Sequence, residues 1–331
     1  MTSTNALDVQ VAAFQDAFAG LRTEIGRVFV GHPAVVEHLL LGFFCQGHVL
    51  LEGAPGLGKT LLVRSLAELL DLRFARVQCT PDLMPADVTG TNVLQDGAGG
   101  GRTVSFQRGP LFANIVLADE INRAMPRTQS AFLEAMQERH VTVFGVTHRL
   151  DQPFSVFATQ NPIEMEGTYP LPEAQLDRFF FKLTVPVPGL DDLVEIMSRT
   201  TGEREARVLA RFDRALVTDA IEIIRQVKIA DPVLRYALRM IRATQPDAVE
   251  APESVRKYVR YGASPRAAQA MVLAGKALAL LSGRFHVSVD DLRRVTEPAL
   301  CHRLIRNFHA EMDGVSPQAI VHAVIESTVE P

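Results

Sequence analysis

A glycine-rich loop that ends in a lysine and a threonine is the strongest chemical signal in the sequence. Residues 53–60 read GAPGLGKT, which satisfies the pattern GxxxxGK[ST]. The loop follows an apolar run and opens a helical pattern, so backbone N–H groups and a helix N-terminus would surround a phosphate. Lys59 would neutralise β- and γ-phosphate oxygens, and the Thr60 hydroxyl would bind Mg²⁺. The predicted nucleotide-binding residues here are Gly53, Ala54, Pro55, Gly56, Leu57, Gly58, Lys59, Thr60 and Leu61.

Two adjacent carboxylates end a second apolar run. Residues 115–120 read IVLADE, so Asp119 and Glu120 lie where a buried strand would end. Asp119 could hold a magnesium ion through water, and Glu120, which points elsewhere, could orient or deprotonate an attacking water. The alternative is that these acidic residues only cap the following helix.

Asn161 follows a third apolar run, in the sequence ATQN at residues 158–161. A neutral amide at this position could hydrogen-bond both the γ-phosphate and the nucleophilic water. It would thereby report whether the phosphate is present. Because Pro162 comes next, a simple Asn-Pro turn is the alternative.

Arg178 precedes the apolar run Phe179–Val185. An arginine that enters a buried strand must have its charge paired, and two explanations compete. It could form a local ion pair with Asp177 or Glu173. It could instead be an arginine finger that reaches the γ-phosphate bound by a neighbouring subunit. Taken without the other motifs, the residues favour the ion pair.

Arg266 begins a long apolar helical pattern in the sequence GASPRA at residues 262–267. Ser264 is a typical N-cap, and Pro265 is a typical first helical residue. A cation at a helix N-terminus opposes the macrodipole, so Arg266 is expected to answer to an anion outside the helix. A surface arginine without a role is the alternative.

A parallel α/β sheet is the fold that would bring these residues together. Five short apolar runs are typical of strands buried on both faces, and helical patterns such as Lys59–Leu70 and Pro126–Arg139 separate several of them. The predicted strands are His48–Glu52, Phe74–Cys79, Ile115–Asp119, Ser155–Thr159 and Phe179–Val185.

Two hairpins are expected as insertions in this pattern. One is Thr91–Gln107, whose tip contains Asp96 and a run of glycines, and the other is Val141–Arg149, which alternates around Gly145. Composition changes at Val185–Gly189, after which strand-like runs vanish and four or five helical patterns follow. We therefore predict a nucleotide-binding core at residues 1–188 and an all-helical lid at residues 189–331.

Composition narrows the class of protein. The chain has 331 residues, 47% of them hydrophobic, with a formal net charge of −4, which disfavours a surface built chiefly for nucleic acid. Its three cysteines are far apart and form no CxxC pair, as expected of reduced thiols. Because no secretory or membrane-spanning segment is apparent, we expect a soluble cytoplasmic protein.

The segments GAPGLGKT, LADEINRA, FATQNPIEMEGTYPLPEAQLDRF and GASPRA together resemble the MoxR family of AAA+ ATPases. The likeness runs from about Val30 to His302–Leu304, most of the chain. It implies an α/β nucleotide-binding core followed by a helical lid. It also implies a homo-oligomeric ring, usually a hexamer, with ATP and Mg²⁺ at the subunit junctions.

The resemblance also implies a role for each motif residue. Val30 and Gly31 match the stretch that lies near adenine, although His32 stands where family members often have glutamine. The two hairpins match insertions that tend to face the pore or substrate side of the ring. The implied catalytic and binding residues are Lys59 and Thr60 in Walker A, Asp119 and Glu120 in Walker B, Asn161 as sensor 1, Arg178 as the arginine finger and Arg266 as sensor 2, with Arg123 near a subunit junction.

Three functions remain open on the sequence. Family members remodel or activate other protein complexes, often with a separate von Willebrand A-domain protein, which favours a protein-remodelling ATPase. A nucleic-acid motor is an alternative, but the acidic hairpin tip and the net charge of −4 argue against it. A nucleotide-gated scaffold is the third, and Glu120 argues against it because a pure switch needs no such base.

Overall fold

The computed structural model describes residues 2–96, 102–162, 167–202, 208 and 210–331. Helices of the first half are α1 Thr2–Val28, α2 Pro33–Phe44, α3 Lys59–Leu69, α4 Pro85–Thr89, α5 Pro126–Glu138 and α6 Glu173–Leu176. Those of the second half are α7 Leu190–Thr201, α8 Arg214–Gln226, α9 Asp231–Ala243, α10 Glu253–Tyr258, α11 Pro265–Leu281, α12 Val289–Leu300, α13 Phe308–Met312 and α14 Pro317–Ser327. The strands are β1 Val49–Glu52, β2 Phe74–Gln78, β3 Gly90–Asp96, β4 Arg102–Arg108, β5 Ile115–Asp119, β6 His140–Val143, β7 Val146–Arg149, β8 Ser155–Gln160, β9 Phe181–Thr184, β10 Val259–Tyr261 and β11 Ile305–Arg306.

The predicted parallel sheet is confirmed. Its five strands lie in the order β2-β5-β8-β1-β9, and every neighbouring pair is parallel. Strands β5 and β8 are buried almost throughout, as their unbroken apolar runs predict. The expectation of burial on both faces is wrong for β2, because it lies at the sheet edge and most of its side chains reach solvent.

The carboxyl ends of three adjacent strands meet at one edge of this sheet. Strand β1 leads into the glycine-rich loop, β5 ends at Asp119, and β8 ends just before Asn161. Glu52 is in register with Gln160, which places these ends at the same level. Ligands of open α/β sheets bind at this edge, so the sheet positions the candidate residues.

Both predicted hairpins form. Strands β3 and β4 pair antiparallel, as do β6 and β7, while the glycine-rich tip of the first hairpin, residues 97–101, lies outside the described residues. The Phe106 ring of the first hairpin stacks on the His148 ring of the second, with centroids 4.1 Å apart and planes inclined by 18°. Phe112 packs edge-on against Phe106, so an aromatic cluster joins the two hairpins at their bases.

Beyond residue 189 the described part of the chain is mainly helical, with one short ladder and an isolated bridge between Lys228 and His286. Eight α-helices are described here rather than the four or five expected, because short helices such as α10 and α13 give little periodic pattern. The expectation that strands vanish entirely is wrong, since β10 and β11 pair antiparallel. Buried side chains of these helices join α1, α2 and one face of the sheet in one hydrophobic core. The boundary at residue 188 stays a prediction.

None of the helices in the described part of the chain combines the length and apolar character needed to cross a bilayer. All three cysteines are free thiols, and Cys45 and Cys79 are buried. Burial raises the pKa of the Cys79 thiol to about 12, and the nearby carboxylates of Asp119 and Glu120 act in the same direction. This thiol is therefore protonated and unreactive near neutral pH.

Candidate active site

The glycine-rich loop adopts the backbone conformation that its sequence predicts. Gly56 and Gly58 have φ of +81° and +75°, a backbone region that residues with a side chain rarely adopt. The Lys59 ammonium donates to the carbonyl oxygens of Gly53 and Ala54, at 2.7 Å each. Burial lowers the pKa of Lys59 and outweighs the carboxylates of Asp119 and Glu120, which act in the opposite direction. A cation held only by two carbonyls can exchange them for phosphate oxygens.

Asp119 lies at the centre of a network of donors. Its Oδ2 accepts a hydrogen bond of 3.2 Å from Thr60 Oγ1, and its Oδ1 accepts one of 2.6 Å from Thr159 Oγ1. The Arg76 guanidinium donates to Oδ2 through Nε and Nη2, at 3.0 and 2.7 Å. A hydroxyl and a carboxylate side by side match the hard oxygen donors that Mg²⁺ prefers when phosphates and water complete its shell.

Glu120 has a backbone and a side chain that are both specifically held. Its φ is +57°, and its N–H donates to Thr159 Oγ1 at 2.8 Å. The carboxylate accepts 3.0 Å hydrogen bonds from Gln78 Nε2 and Arg123 Nη1 on the same oxygen. Its side chain accepts no capping bond from the following turn. The helix-cap interpretation is therefore wrong for Glu120.

These groups converge on one cleft of about 250 Å³. The loop from Pro55 to Thr60, both carboxylates and Asn161 all line it, and Asn161 is only 6% exposed. Leu61, also predicted here, is 44% exposed and does not line the cleft. The described residues that line it are Pro55, Gly56, Leu57, Gly58, Lys59, Thr60, Arg76, Gln78, Asp119, Glu120, Thr159, Gln160 and Asn161.

Val30 and Gly31 lie in a separate cleft of about 530 Å³ that also contains Arg199. Phe29 connects the two clefts, because a Cβ added to Gly58 would lie 3.3 Å from its ring. The stretch predicted to lie near adenine is thus next to the phosphate loop without sharing its cleft. Among the described residues no group of three or more His, Cys, Asp or Glu side chains is placed to hold a metal ion.

Arg266 forms an ion pair with Asp177, which lies outside its helix. Its place at a helix N-terminus predicts such an anionic partner. Its Nη1 lies 2.9 Å from Asp177 Oδ2, and Ser264 Oγ donates to Oδ1 at 2.6 Å. Arg303, whose side chain is 2% exposed, donates Nε to the same Oδ1 at 2.9 Å. The interpretation of Arg266 as a surface arginine without a role is wrong.

Asp177 is held as a carboxylate despite its burial. Desolvation raises its pKa, but donors from Ser264, Arg266 and Arg303 outweigh that effect and leave the pKa below its usual value. Arg303 also donates to backbone carbonyls at Phe179 and Phe180, so the cluster ties the segment before β9 to the lid.

Arg178, next to this cluster, is half-buried and forms no ion pair with any residue that the structure describes. The local ion pair favoured by the residues alone is therefore wrong, since Asp177 pairs with Arg266 and Arg303 and no ion pair joins Glu173 to Arg178 in the described structure. Strand β9 begins at Phe181, so Arg178 lies in the turn before it. Neither Arg178 nor Arg266 lines the phosphate-loop cleft of its own chain.

Four residues that contact the predicted site residues carry no predicted role, namely Arg76, Gln78, Thr159 and Arg303. Arg76 and Gln78 alternate along β2, and residues two apart on a strand share a face. Polar residues on one face of an otherwise apolar run could have indicated that this face borders the site. No comparable signal marks Thr159 or Arg303, because their partners Asp119 and Asp177 are distant in the sequence.

Comparison with known proteins agrees with this geometry. Residues 48–181 match the family described as ATPase family associated with various cellular activities (AAA), and residues 251–324 match the AAA lid domain. The crystal structure of a candidate ATPase from Cytophaga hutchinsonii superimposes with a TM-score of 0.91 at 36% identity and covers 100% of this chain and 99% of that one.

Sequence relatives include proteins that carry the MoxR name. Chaperone MoxR1 of Mycobacterium tuberculosis is 40% identical over 93% of this chain and 81% of its own length. The YeaC protein of Bacillus subtilis is 39% identical over 93% and 92%, and protein MoxR of Paracoccus denitrificans is 31% identical over 96% and 94%. With its phosphate loop, acidic pair and lid in place, the chain belongs to the MoxR family of AAA+ ATPases.

Proposed function

We propose that this chain hydrolyses ATP in a homo-oligomeric ring and uses the energy to remodel or activate a partner protein complex. The observation that carries the proposal is the division of the candidate residues into two groups. Lys59, Thr60, the acidic pair and Asn161 line one cleft, whereas Arg178 and Arg266 lie outside it. A complete catalytic site then requires the arginines of a second copy.

In this proposal, each residue of the cleft has a defined task. Lys59 leaves its two carbonyl partners and binds phosphate oxygens. Thr60 and Asp119 would hold Mg²⁺, which supplies neutralisation of phosphate charge. Asn161 contacts the γ-phosphate. Glu120 accepts the proton of the attacking water once it has left Gln78 and Arg123, which hold it in the structure.

The two arginines act on the neighbouring copy as one unit. Asp177 holds Arg266 directly and precedes Arg178 in the chain, so both cations lie where the lid meets the segment before β9. A γ-phosphate that recruits them would draw this segment toward the neighbour, and hydrolysis would release it. The ring is expected to be a hexamer, with ATP at each junction.

A protein partner suits the hairpins better than nucleic acid does. Leu94 and Val104 lie directly opposite each other in the first hairpin and are 68% and 64% exposed. In the second, Phe144 and Val146 are 76% and 56% exposed. Apolar side chains contact protein surfaces, whereas a hairpin that grips DNA needs Lys or Arg. A von Willebrand A-domain protein, supplied as a separate polypeptide, is the proposed partner.

Replacement of Glu120 tests the hydrolytic step. Glu120→Gln is expected to bind ATP with unchanged affinity and to turn over at least about a hundredfold more slowly, because it loses the general base. Unchanged turnover would remove Glu120 from its role. The same variant should trap the partner protein, while turnover that is stimulated by DNA with a steep salt dependence would favour a nucleic-acid motor.

Mixing two inactive variants tests the shared site. In an equal mixture of Arg178→Ala and Glu120→Gln, about one junction in four pairs an intact cleft with an intact arginine, so turnover should partly return. In the control mixture, Lys59→Ala with Glu120→Gln, every cleft carries one of the two defects, so no junction is intact and the mixture should stay inactive. No recovery in the first mixture, with mixed assembly shown by tag capture, would refute the shared site.

A further inference from the structure

A cleft lined by arginines lies at the opposite end of the sheet from the phosphate loop. It encloses about 540 Å³ between the C-terminal end of α5, the base of the β6–β7 hairpin and α8. We call it the basic cleft, and its lining is Gln46, Glu138, Arg139, His140, Arg149, Leu150, Gln152 and Arg225.

The cations of the basic cleft have no carboxylate partner among the described residues. Arg139 donates to Gln152 Oε1 at 2.6 Å and to the carbonyl of Gln46 at 3.1 Å, both of them neutral groups. The exposed Arg149 guanidinium has no hydrogen-bonding partner in the described structure, and Arg225 reaches only the Gln46 side chain, at 3.4 Å. Some arginines elsewhere in the protein, such as Arg76 and Arg123, are by contrast paired with carboxylates.

Further positive charge lies behind these residues. The Lys276 ammonium donates to the carbonyl of Arg225 at 3.1 Å, and burial together with Lys228 and Arg225 lowers its pKa. Burial also lowers the pKa of Arg139, and Arg225 adds to that effect. Like charges thus repel one another across the cleft, and an anionic ligand would relieve the repulsion.

We propose that the basic cleft binds an acidic peptide segment of a partner protein, with the carboxylates of that segment paired to Arg139, Arg149 and Arg225. Guanidinium groups pair with carboxylates in bidentate geometry. The amides of Gln46 and Gln152, which line the same cleft, are donors and acceptors of the kind that pair with peptide backbone.

The lining favours a peptide over nucleic acid. His140 carries the one ring among the described lining residues, so no aromatic platform is present for a base. Glu138 also lines the cleft and would repel a continuous chain of phosphates. The arginines converge on one enclosure instead of tracking a strand, which suits a few clustered carboxylates.

The position of the cleft would let its occupant join the two parts of the chain. His140 and Arg149 begin and end the second hairpin, whereas Arg225 belongs to the helical region, where Arg214 already donates to the carbonyl of Gln152 at 2.7 Å. A bound peptide would therefore contact the hairpin base and α8 together. Binding needs neither nucleotide nor hydrolysis, so the inference stands apart from the proposed ATPase function.

Fluorescence anisotropy with a labelled octaglutamate peptide tests the inference on the full chain without nucleotide. Arg149→Gln/Arg225→Gln removes two exposed guanidiniums and is expected to weaken binding by at least about tenfold. The control, Arg127→Gln/Arg260→Gln, makes the same change in net charge at two other exposed arginines and should stay within about twofold. A second cleft pair, Arg139→Gln/Arg149→Gln, repeats the test with the third arginine of the lining.

Each outcome decides the question. Selective loss of binding in both cleft pairs, with unchanged melting temperatures and weaker binding as salt rises, supports the inference. Equal weakening in the control would show that net charge alone attracts the peptide and would overturn it. Absence of octaglutamate binding to the wild-type chain at physiological salt would overturn it too, as would tighter binding of an eight-nucleotide oligothymidine.

Discussion

Replacing Asp177 by asparagine tests whether this residue holds the lid to the segment that carries Arg178. The substitution preserves shape and one acceptor oxygen but removes the charge that Arg266 and Arg303 share. Since the Arg303 side chain is 2% exposed, water cannot replace the lost carboxylate. The variant therefore isolates the electrostatic contribution of one buried group.

The expected loss in the free energy of unfolding depends on the hydrogen bonds that Arg303 keeps in the variant. Breaking a buried ion pair on one side costs about 3–5 kcal/mol, because the other charge stays buried and unpaired. Arg303 retains four backbone carbonyl acceptors, at Asp177, Phe179, Phe180 and Ala299. We therefore expect the lower end, a loss of about 3 kcal/mol in the free energy of unfolding.

Equilibrium urea unfolding, followed by far-ultraviolet circular dichroism, measures this loss. The matched control is Asp71→Asn, which breaks the Asp71–Arg211 pair, whose side chains are 76% and 78% exposed and 3.5 Å apart. An exposed pair of this kind contributes less than about 1 kcal/mol. If Asp177→Asn destabilised the protein no more than Asp71→Asn does, the assignment of Asp177 as the anchor of the lid would be refuted.

The pH dependence gives a second check with a definite sign. The pKa of Asp177 is lowered in the folded state, so its stabilising contribution is present above the ordinary carboxyl pKa and is lost as pH falls through the folded value. The wild-type chain and Asp177→Asn should therefore differ most near neutral pH and converge below about pH 4. A difference that stayed constant down to pH 3 would contradict this account.

Three further predictions concern the phosphate-loop cleft. Gln78→Ala removes one of two donors that hold Glu120, so basal turnover should rise about fivefold in steady-state kinetics, and a fall would contradict the restraint. Thr159→Val removes a donor from Asp119 and should raise the Mg²⁺ concentration needed for half-maximal turnover, which an unchanged Mg²⁺ titration would disprove. Lys59→Ala should abolish binding of a fluorescent ATP analogue, and retained affinity would exclude Lys59 from phosphate binding.

Local sequence patterns predicted the parts of the site that lie at strand ends. The glycine-rich loop, Asp119, Glu120 and Asn161 each follow an apolar run, and a parallel sheet brings the ends of such runs to one edge. Their convergence on one cleft is a property of the fold class. The backbone angles of Gly56 and Gly58 follow in the same way from residue type.

The Asp177 cluster could not be predicted in this way. Its three donors, Ser264, Arg266 and Arg303, lie 87, 89 and 126 residues further along the chain. Which of the nearby carboxylates an arginine chooses depends on how the lid packs, and no local pattern records that. For the same reason the sequence favoured an ion pair for Arg178 that the structure does not form.

Local sequence patterns also could not predict which strands lie at the edge of the sheet. The run Phe74–Gln78 is apolar enough to be buried, yet its place at the edge leaves Arg76 and Gln78 free to face the site. A strand at the edge of a sheet has a neighbouring strand on one side only, and the order of the strands decides which strand lies there. The contacts of Arg76 with Asp119 and of Gln78 with Glu120 depend on this edge position.

The stacked rings of Phe106 and His148 limit how the two insertions can change. Side chains alternate between the two faces of a strand, so a gain or loss of one residue between either ring and its hairpin base would turn that ring to the opposite side. Length variation of a single residue in one hairpin would then demand a compensating change in the other. Changes at the distal tips, beyond Phe106 and His148, escape this restriction, so that is where related chains can diverge without separating the two insertions.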